Sequence, residues 1–182
     1  MKYLYIQATD KHLYQILELQ KANLSESLSE KEIVKEGFVT ASHTYDELKV
    51  MNDIYPHTIV TVDDQVVGYA LSMGSQFRNL LPVLVPMFEM IDEEMARHNR
   101  NDSFIVMGQV CISKGHRGKG LFQGLYNAMR KSFSSLFDVN ITEVAVSNLR
   151  SMRAHKKVGY EIMKVYTDRF GVEWALIEWR WS

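Results

Sequence analysis

Apolar residues recur along this chain in two periods, and the switches between them predict its elements. Residues 104–112, FIVMGQVCI, are mostly apolar and β-branched or aromatic, which predicts a buried strand. A break follows at Ser113-Lys114-Gly115. After His116-Arg117-Gly118-Lys119-Gly120 the period becomes helical, with Leu121, Leu125, Met129 and Phe133 on one stripe over 120–133. Before this stretch, 3–8 predicts a first strand, and 11–24 a helix with Asp10 as its N-cap and Leu13, Ile16, Leu17 and Leu19 near helical spacing. Residues 25–35 are polar and helix-prone at best. Residues 36–40 form a short apolar island, either a loop anchored in the core or a lid. Thr44, with Glu47 three residues later, caps a short helix over 44–52. Two strands, 57–62 and 66–73, flank the tight turn Asp63-Asp64-Gln65.

The stretch 74–102 is the least regular. It has a Pro-interrupted apolar segment, then Phe88, Ile91 and Met95 at helical spacing, then a polar run. It reads as a packed helix with a connector, or as an insert that shapes a substrate pocket. Further on, 141–147 predicts a strand and 148–158 a helix closing on Gly159. Strands over 161–168 and 172–181 flank Arg169-Phe170-Gly171 as a hairpin. The order β-α-α-β-β-(α)-β-α-β-α-β-β predicts one α/β domain over 1–182 with a mixed sheet, the insert lying between its third and fourth strands.

Composition narrows the classes. A chain of 182 residues with 46% apolar and 24% charged residues suits one soluble core. A net charge of −1 provides no overall basic field for nucleic acid. The single Cys excludes an internal disulfide and a Cys-based zinc cluster, and no metal is expected. The N-terminus meets Asp10 and Lys11 before any long apolar core, so no signal peptide is expected. The apolar run 80–90 is too short to span a membrane. These points suit a cytoplasmic protein.

A strand, a glycine-rich basic turn and a helix together can hold phosphate. Glycines let backbone approach the anion, and the unpaired N–H groups of a helix start point at it. Arg117 and Lys119 add charge. Alone this is weak, and a plain β-to-α turn competes with it. A second stretch about 30 residues on changes the balance. Residues 141–160, ITEVAVSNLRSMRAHKKVGY, end a strand at Asn148 and place Ser151 and His155 on one helix face at i, i+4 spacing.

Together the two stretches resemble the GNAT superfamily of N-acetyltransferases over about residues 51–160. The family turn reads Gln/Arg-x-x-Gly-x-Gly/Ala; here Gly118 and Gly120 match, and Gly115 stands at the first position. The downstream pattern Asn-x-x-Ala/Ser-x-x-x-Tyr-x-Lys-x-Gly-Phe is met by Asn148, Ser151, Lys157, Gly159 and Tyr160, with His155 where the family often has Tyr. The resemblance implies a mostly antiparallel sheet of about seven strands, splayed between the fourth and fifth. It implies acetyl-CoA or a related acyl-CoA as co-substrate and an amine as acceptor, either a small molecule or a peptide N-terminus. The pyrophosphate would sit on Gly115, His116, Arg117, Gly118, Lys119, Gly120 and Leu121. Pantetheine would run along Val110, Cys111 and Ile112, with Asn148 and Ser151 beside it.

For the chemistry, Glu143 lies five residues before Asn148, and this resembles the ribosomal-protein Nα-acetyltransferase subgroup, in which a Glu at that strand position serves as base. The resemblance implies Glu143 as the candidate base, set against an ordinary exposed strand carboxylate. His155 is the candidate acid, set against a helix histidine that merely touches the cofactor. The Val110 N–H would hold the oxyanion. Gln109 cannot be a base but could orient a water or the amine. Cys111 invites an acyl-Cys mechanism, yet strand alternation places it opposite Val110 as a core residue. Tyr166, Trp174, Trp179 and Trp181 read first as sheet core, and otherwise as an acceptor pocket or a homodimer surface. The rival functions are a non-catalytic acyl-CoA-binding module and a toxin-like acetyltransferase acting on aminoacyl-tRNA.

Overall fold

Thr44 accepts a hydrogen bond from Glu47 N, and Glu47 Oε2 accepts one from Thr44 N, so the expected capping box starts the helix Tyr45–Ile54. The computed structural model describes residues 2–24 and 41–181. The apolar island 36–40 and the polar stretch 25–35 lie outside the described residues.

The strands are β1 (Leu4–Gln7), β2 (Thr58–Val62), β3 (Gln65–Met73), β4 (Phe104–Ile112), β5 (Val139–Ala145), β6 (Glu161–Thr167) and β7 (Glu173–Arg180). The helices are α1 (Asp10–Lys21), α2 (Tyr45–Ile54), α3 (Val85–Arg97), α4 (Leu121–Phe133) and α5 (Leu149–Val158). One expectation fails at α1: Thr9, not Asp10, is the N-cap. Thr9 N donates to His12 Nδ1 at 3.0 Å, and Asp10 becomes the first helical residue, where its charge meets the helix dipole. The β2–β3 turn is tight because Asp63 and Asp64 both take positive φ, 48° and 61°, as a primed hairpin turn requires.

The seven strands form one sheet in the order β1-β2-β3-β4-β5-β7-β6. All neighbours are antiparallel except β4 and β5, which are parallel. That pair spans only Phe104↔Val139 to Val106↔Ile141. Beyond it the strands part, as the resemblance implied.

The sheet has a core on each face. On one face Tyr69, Leu71 and Met73 pack with Leu13 and Ile16 of α1, Leu48 of α2, and Phe88 and Ile91 of α3. On the other, Val60, Ala70, Ile105 and Met107 pack with Leu121, Leu125, Met129 and Phe133, the expected stripe of α4. The insert packs one apolar face into the core through Leu81, Leu84, Met87, Phe88, Ile91 and Met95, and the rest of it is largely exposed. Its prolines start helices instead of breaking them: Pro82 opens a 3-10 turn and Pro86 lies in the first turn of α3. Arg100, just past α3, is held by Glu178 of β7 at 2.6 Å. Among the described residues no helix is long and apolar enough to cross a membrane.

Candidate active site

Two polar side chains of β5, Asn140 within the paired stretch and Thr142 just past it, reach across to β4. Asn140 Nδ2 donates to Ile105 O at 2.9 Å, and Thr142 Oγ1 donates to Met107 O at 2.7 Å. Both carbonyls belong to β4. Asn140 adds a side-chain bond within the paired stretch, whereas Thr142, just beyond it, gives Met107 O a donor where the strands diverge. Asn140 is itself fixed by a hydrogen bond from Tyr160.

Just past this point β4 bulges. Ser72 pairs with Met107 and Leu71 with Gln109, so Gly108 has no partner on β3. The extra residue inverts the alternation. Ile105 and Met107 face the α4 side, and so do Val110 and Ile112. Cys111 therefore points to the α1 side, opposite Val110, and is 6% exposed. Burial pushes its thiol up to about 11, which makes it a poor nucleophile at neutral pH.

The parting strands enclose a cleft with two connected halves. Val110, Cys111, Ile112, Arg117, Gly118, Gly120, Leu121, Asn148 and Ser151 line the first, all of them expected at a cofactor site. Gly115, His116 and Lys119 do not line it. His116 Nδ1 instead lies 3.1 Å from Tyr3 Oη, and Lys119 Nζ donates to Gly115 O at 3.1 Å. Gly118 and Gly120 have φ of 74° and 77°, and a Cβ on either would meet no described atom within 4 Å. The turn is thus an open backbone cradle beside a helix N-terminus, which fits a pyrophosphate.

Arg117 differs from the expected free phosphate fork. Its Nε donates to Ile112 O at 2.9 Å and its Nη2 to Asn23 Oδ1 at 2.7 Å. The guanidinium ties the end of β4 to the end of α1 while still lining the cleft. Asn23, Phe122 and Arg150 line the same half and carried no sequence signal.

Glu143, His155, Gln109 and Trp174 line the second half, with Val110, Asn148 and Ser151 shared between the two. Asn148 Oδ1 accepts from Ser151 N at 3.1 Å and so caps α5. Glu143 is half-buried. Burial pushes its carboxyl up to about 7, the Tyr166 hydroxyl opposes that shift by donating to Oε2, and the Asp168 charge adds to it.

His155 is 2% exposed and carries no charge to the cleft. Its Nδ1 lies 2.9 Å from Ser151 O, which can only accept, so the proton sits on Nδ1 and Nε2 accepts from Tyr126 Oη at 2.7 Å. Burial lowers its pKa to about 4. Both nitrogens are occupied, which suits an orienting group better than a proton donor.

Gln109 is engaged as well. Its Oε1 accepts from Gln20 Nε2 at 2.7 Å and from Tyr69 Oη at 2.6 Å, and its Nε2 donates to Ala41 O at 2.7 Å. It holds α1 against β4 and has no acceptor capacity left for an amine. The C-terminal aromatics divide: Trp179 and Trp181 are core, whereas Trp174 and Tyr166 serve the cleft. The insert contributes no described lining residue. Its Leu84 Cδ1 comes within 3.9 Å of where a Cβ on Gly108 would lie.

No family model and no curated protein matches the sequence. Solved structures do match. The ribosomal-protein-S18-alanine N-acetyltransferase of Escherichia coli superposes with a TM-score of 0.62 at 10% identity, covering 100% of this chain and 95% of that one. A putative GNAT-family acetyltransferase of Desulfovibrio desulfuricans gives 0.66 at 10%, covering 100% of both. A putative acetyltransferase of Salmonella typhimurium, solved with its cofactor acetyl-CoA, gives 0.64 at 14%, covering 99% and 94%. These superpositions span nearly the whole of each chain, and they show that this chain has the GNAT acetyltransferase fold.

Proposed function

We propose that this protein transfers the acetyl group of acetyl-CoA to a primary amine by direct attack within the β4–β5 cleft. The observation that carries the reading is the cleft's two ends. One is an open glycine cradle at a helix start, and the other holds a carboxyl poised near pH 7. A base works best when its pKa lies near the working pH, and burial places Glu143 there.

In this reading the turn at Gly118 and Gly120 takes the pyrophosphate. Pantetheine lies along Val110 to Ile112, where β4 has left β5. The acetyl thioester supplies the electrophile. The acceptor ammonium gives one proton to Glu143. The freed lone pair attacks the carbonyl carbon, a C–N bond forms and the C–S bond breaks. The second N–H proton leaves with the thiolate as thiol. The Val110 N–H is proposed as the oxyanion donor. His155, neutral and sealed, is proposed to orient Ser151 and the start of α5 instead of acting as the acid. An unshifted thiol pKa of about 8.5 makes the thiolate an adequate leaving group without one.

A module that only bound acyl-CoA would have no use for a near-neutral carboxyl beside the thioester, which favours the enzyme. For the acceptor, the Escherichia coli structure named for N-acetylation of ribosomal protein S18 at alanine supports a peptide N-terminus. No residue of 74–102 lines either half of the cleft, so the insert lends no support to a small-molecule pocket. The test is thiol release from acetyl-CoA with a panel of peptides bearing free N-termini and of small amines. Release with at least one acceptor is expected; acetyl-CoA binding with no release under any acceptor would overturn the enzyme reading.

A further inference from the structure

The β6–β7 hairpin reaches back to Glu143 across a whole strand. Glu143 of β5 stands opposite Leu176 of β7, and Leu176 opposite Lys164 of β6. Tyr166, two residues on along β6, shares the face of Lys164 and of Glu143. From there its hydroxyl donates to Glu143 Oε2. This contact is diagonal over two strand spacings, which only a long side chain such as tyrosine bridges.

The hairpin tip is locked by one residue. Asp168 Oδ1 accepts from Phe170 N at 2.8 Å and from Val172 N at 2.9 Å. Its Oδ2 accepts from Trp174 Nε1 at 2.9 Å. Three donors keep this carboxyl ionised, with its pKa lowered chiefly by the Trp174 bond. Trp174 lies opposite Tyr166 on β6 and opposite Ala145 on β5, and it lines the cleft beside Glu143. Tyr166 therefore bonds the base, and Asp168 is fixed two residues further along the same hairpin.

We propose that the β6–β7 hairpin is the positioning element for the base: Tyr166 occupies one carboxylate oxygen of Glu143 and leaves the other to the acceptor amine, while Asp168 stands behind the pair as a fixed negative charge. The two influences oppose each other. A hydrogen bond to the carboxylate favours its ionised form, and a neighbouring anion disfavours it. Among the other charged groups of the hairpin, Arg180 pairs with Asp102, Arg169 lies over the Phe170 ring, and Glu161 and Glu173 are exposed. Lys164 lies 3.3 Å from Glu94 of α3, and Glu178 is held by Arg100. From α5, His155 faces the cleft neutral, and from β4, Gln109 brings no charge. Beside burial, Tyr166 and Asp168 are the two groups that shift the ionisation of Glu143. Tyr166 is thus a positioning residue, acting through Glu143.

This rests on the reading of Glu143 as the base, so the test observes the carboxyl itself and needs no acceptor. The full chain is labelled with glutamate carrying 13C at Cδ, and the Glu143 signal is assigned by its disappearance in Glu143→Gln. Its titration is then followed in wild type, Tyr166→Phe and Asp168→Asn. Tyr166→Phe should raise the midpoint by about one pH unit, the size expected for losing a hydrogen bond to a charged group. Asp168→Asn should move it the opposite way, by less, because Asp168 acts at a distance from a half-buried position while Tyr166 bonds the carboxylate directly. A general loosening of the hairpin would not move the two variants in opposite directions. A Tyr166→Phe midpoint that stays or falls overturns the proposal, as does an Asp168→Asn midpoint that rises. If Glu143→Gln kept full turnover, the base reading would fall and the titration result would stand.

Discussion

Thr142 donates its hydroxyl proton to the carbonyl oxygen of Met107 at 2.7 Å, across the point where β4 and β5 separate. The bond stands in for a backbone contact at the root of the cleft. Thr142→Val keeps the shape but leaves a buried carbonyl without its donor. It should cost about 1–2 kcal/mol. In a chain of this length that lowers the unfolding midpoint by a few degrees, which thermal denaturation reads directly. An unchanged midpoint would mean that water reaches Met107 O and the root of the cleft is wet.

Gly120 and Gly115 give a contrast within one turn. Gly120 lines the cleft with φ of 77°, whereas Gly115 lies outside it. Gly120→Val forces a branched side chain into the left-handed region, at about 1–2 kcal/mol, and fills the cradle. Acetyl-CoA affinity, measured by calorimetry, should fall at least tenfold. Gly115→Val should leave it within about twofold. Equal losses at both positions would move the phosphate site off the cradle.

The strand 104–112 and the α4 stripe were legible because each is a long run of a single period bounded by a break. The capping box of α2 was legible because its two members are three residues apart. The bulge at Gly108 was signalled only by a glycine inside a strand, which is ambiguous with a simple weak point. The Arg117–Asn23 bond joins residues 94 positions apart, and the Tyr166–Glu143 bond crosses an intervening strand. Neither leaves a local pattern. Thr9 displaced Asp10 as cap because both are good caps and only backbone geometry chooses between them. His155 was placed correctly on its helix face, but its burial and its two partners come from α4 and from its own helix backbone, which spacing alone does not show.

His43, His57 and His155 are buried, and burial holds them at about 4, 3 and 4. Their unfolded value is about 6.5. Between pH 6.5 and about 4 the unfolded chain therefore binds more protons, and stability falls as pH drops. Glu143 acts in the opposite sense between its unfolded 4.5 and about 7, so three protons less one leave about two. The slope is on the order of 2 kcal/mol per pH unit. Denaturation midpoints measured from pH 7 to pH 4.5 should fall steeply; a flat profile would mean that water reaches these imidazoles.

Glu143 is the place where stability and the proposed chemistry oppose each other. Its folded pKa is raised, so the stability of the protonated form is fully present below about 4.5 and is lost as pH rises through about 7. Glu143→Gln removes that loss and can still accept from Tyr166. It should stabilise the protein at pH 8, by up to about 3 kcal/mol, and change little at pH 4. A variant no more stable than wild type at pH 8 would show the carboxylate to be well solvated.

The most direct test of the proposed mechanism is the pH–rate profile of thiol release from acetyl-CoA with the best acceptor, for wild type and Glu143→Gln. Wild-type kcat/KM should rise with an apparent pKa near 7. Glu143→Gln should lose that step and be impaired most at neutral pH, recovering where the amine is already deprotonated. The same profile and the same rates in both proteins would contradict Glu143 as the base.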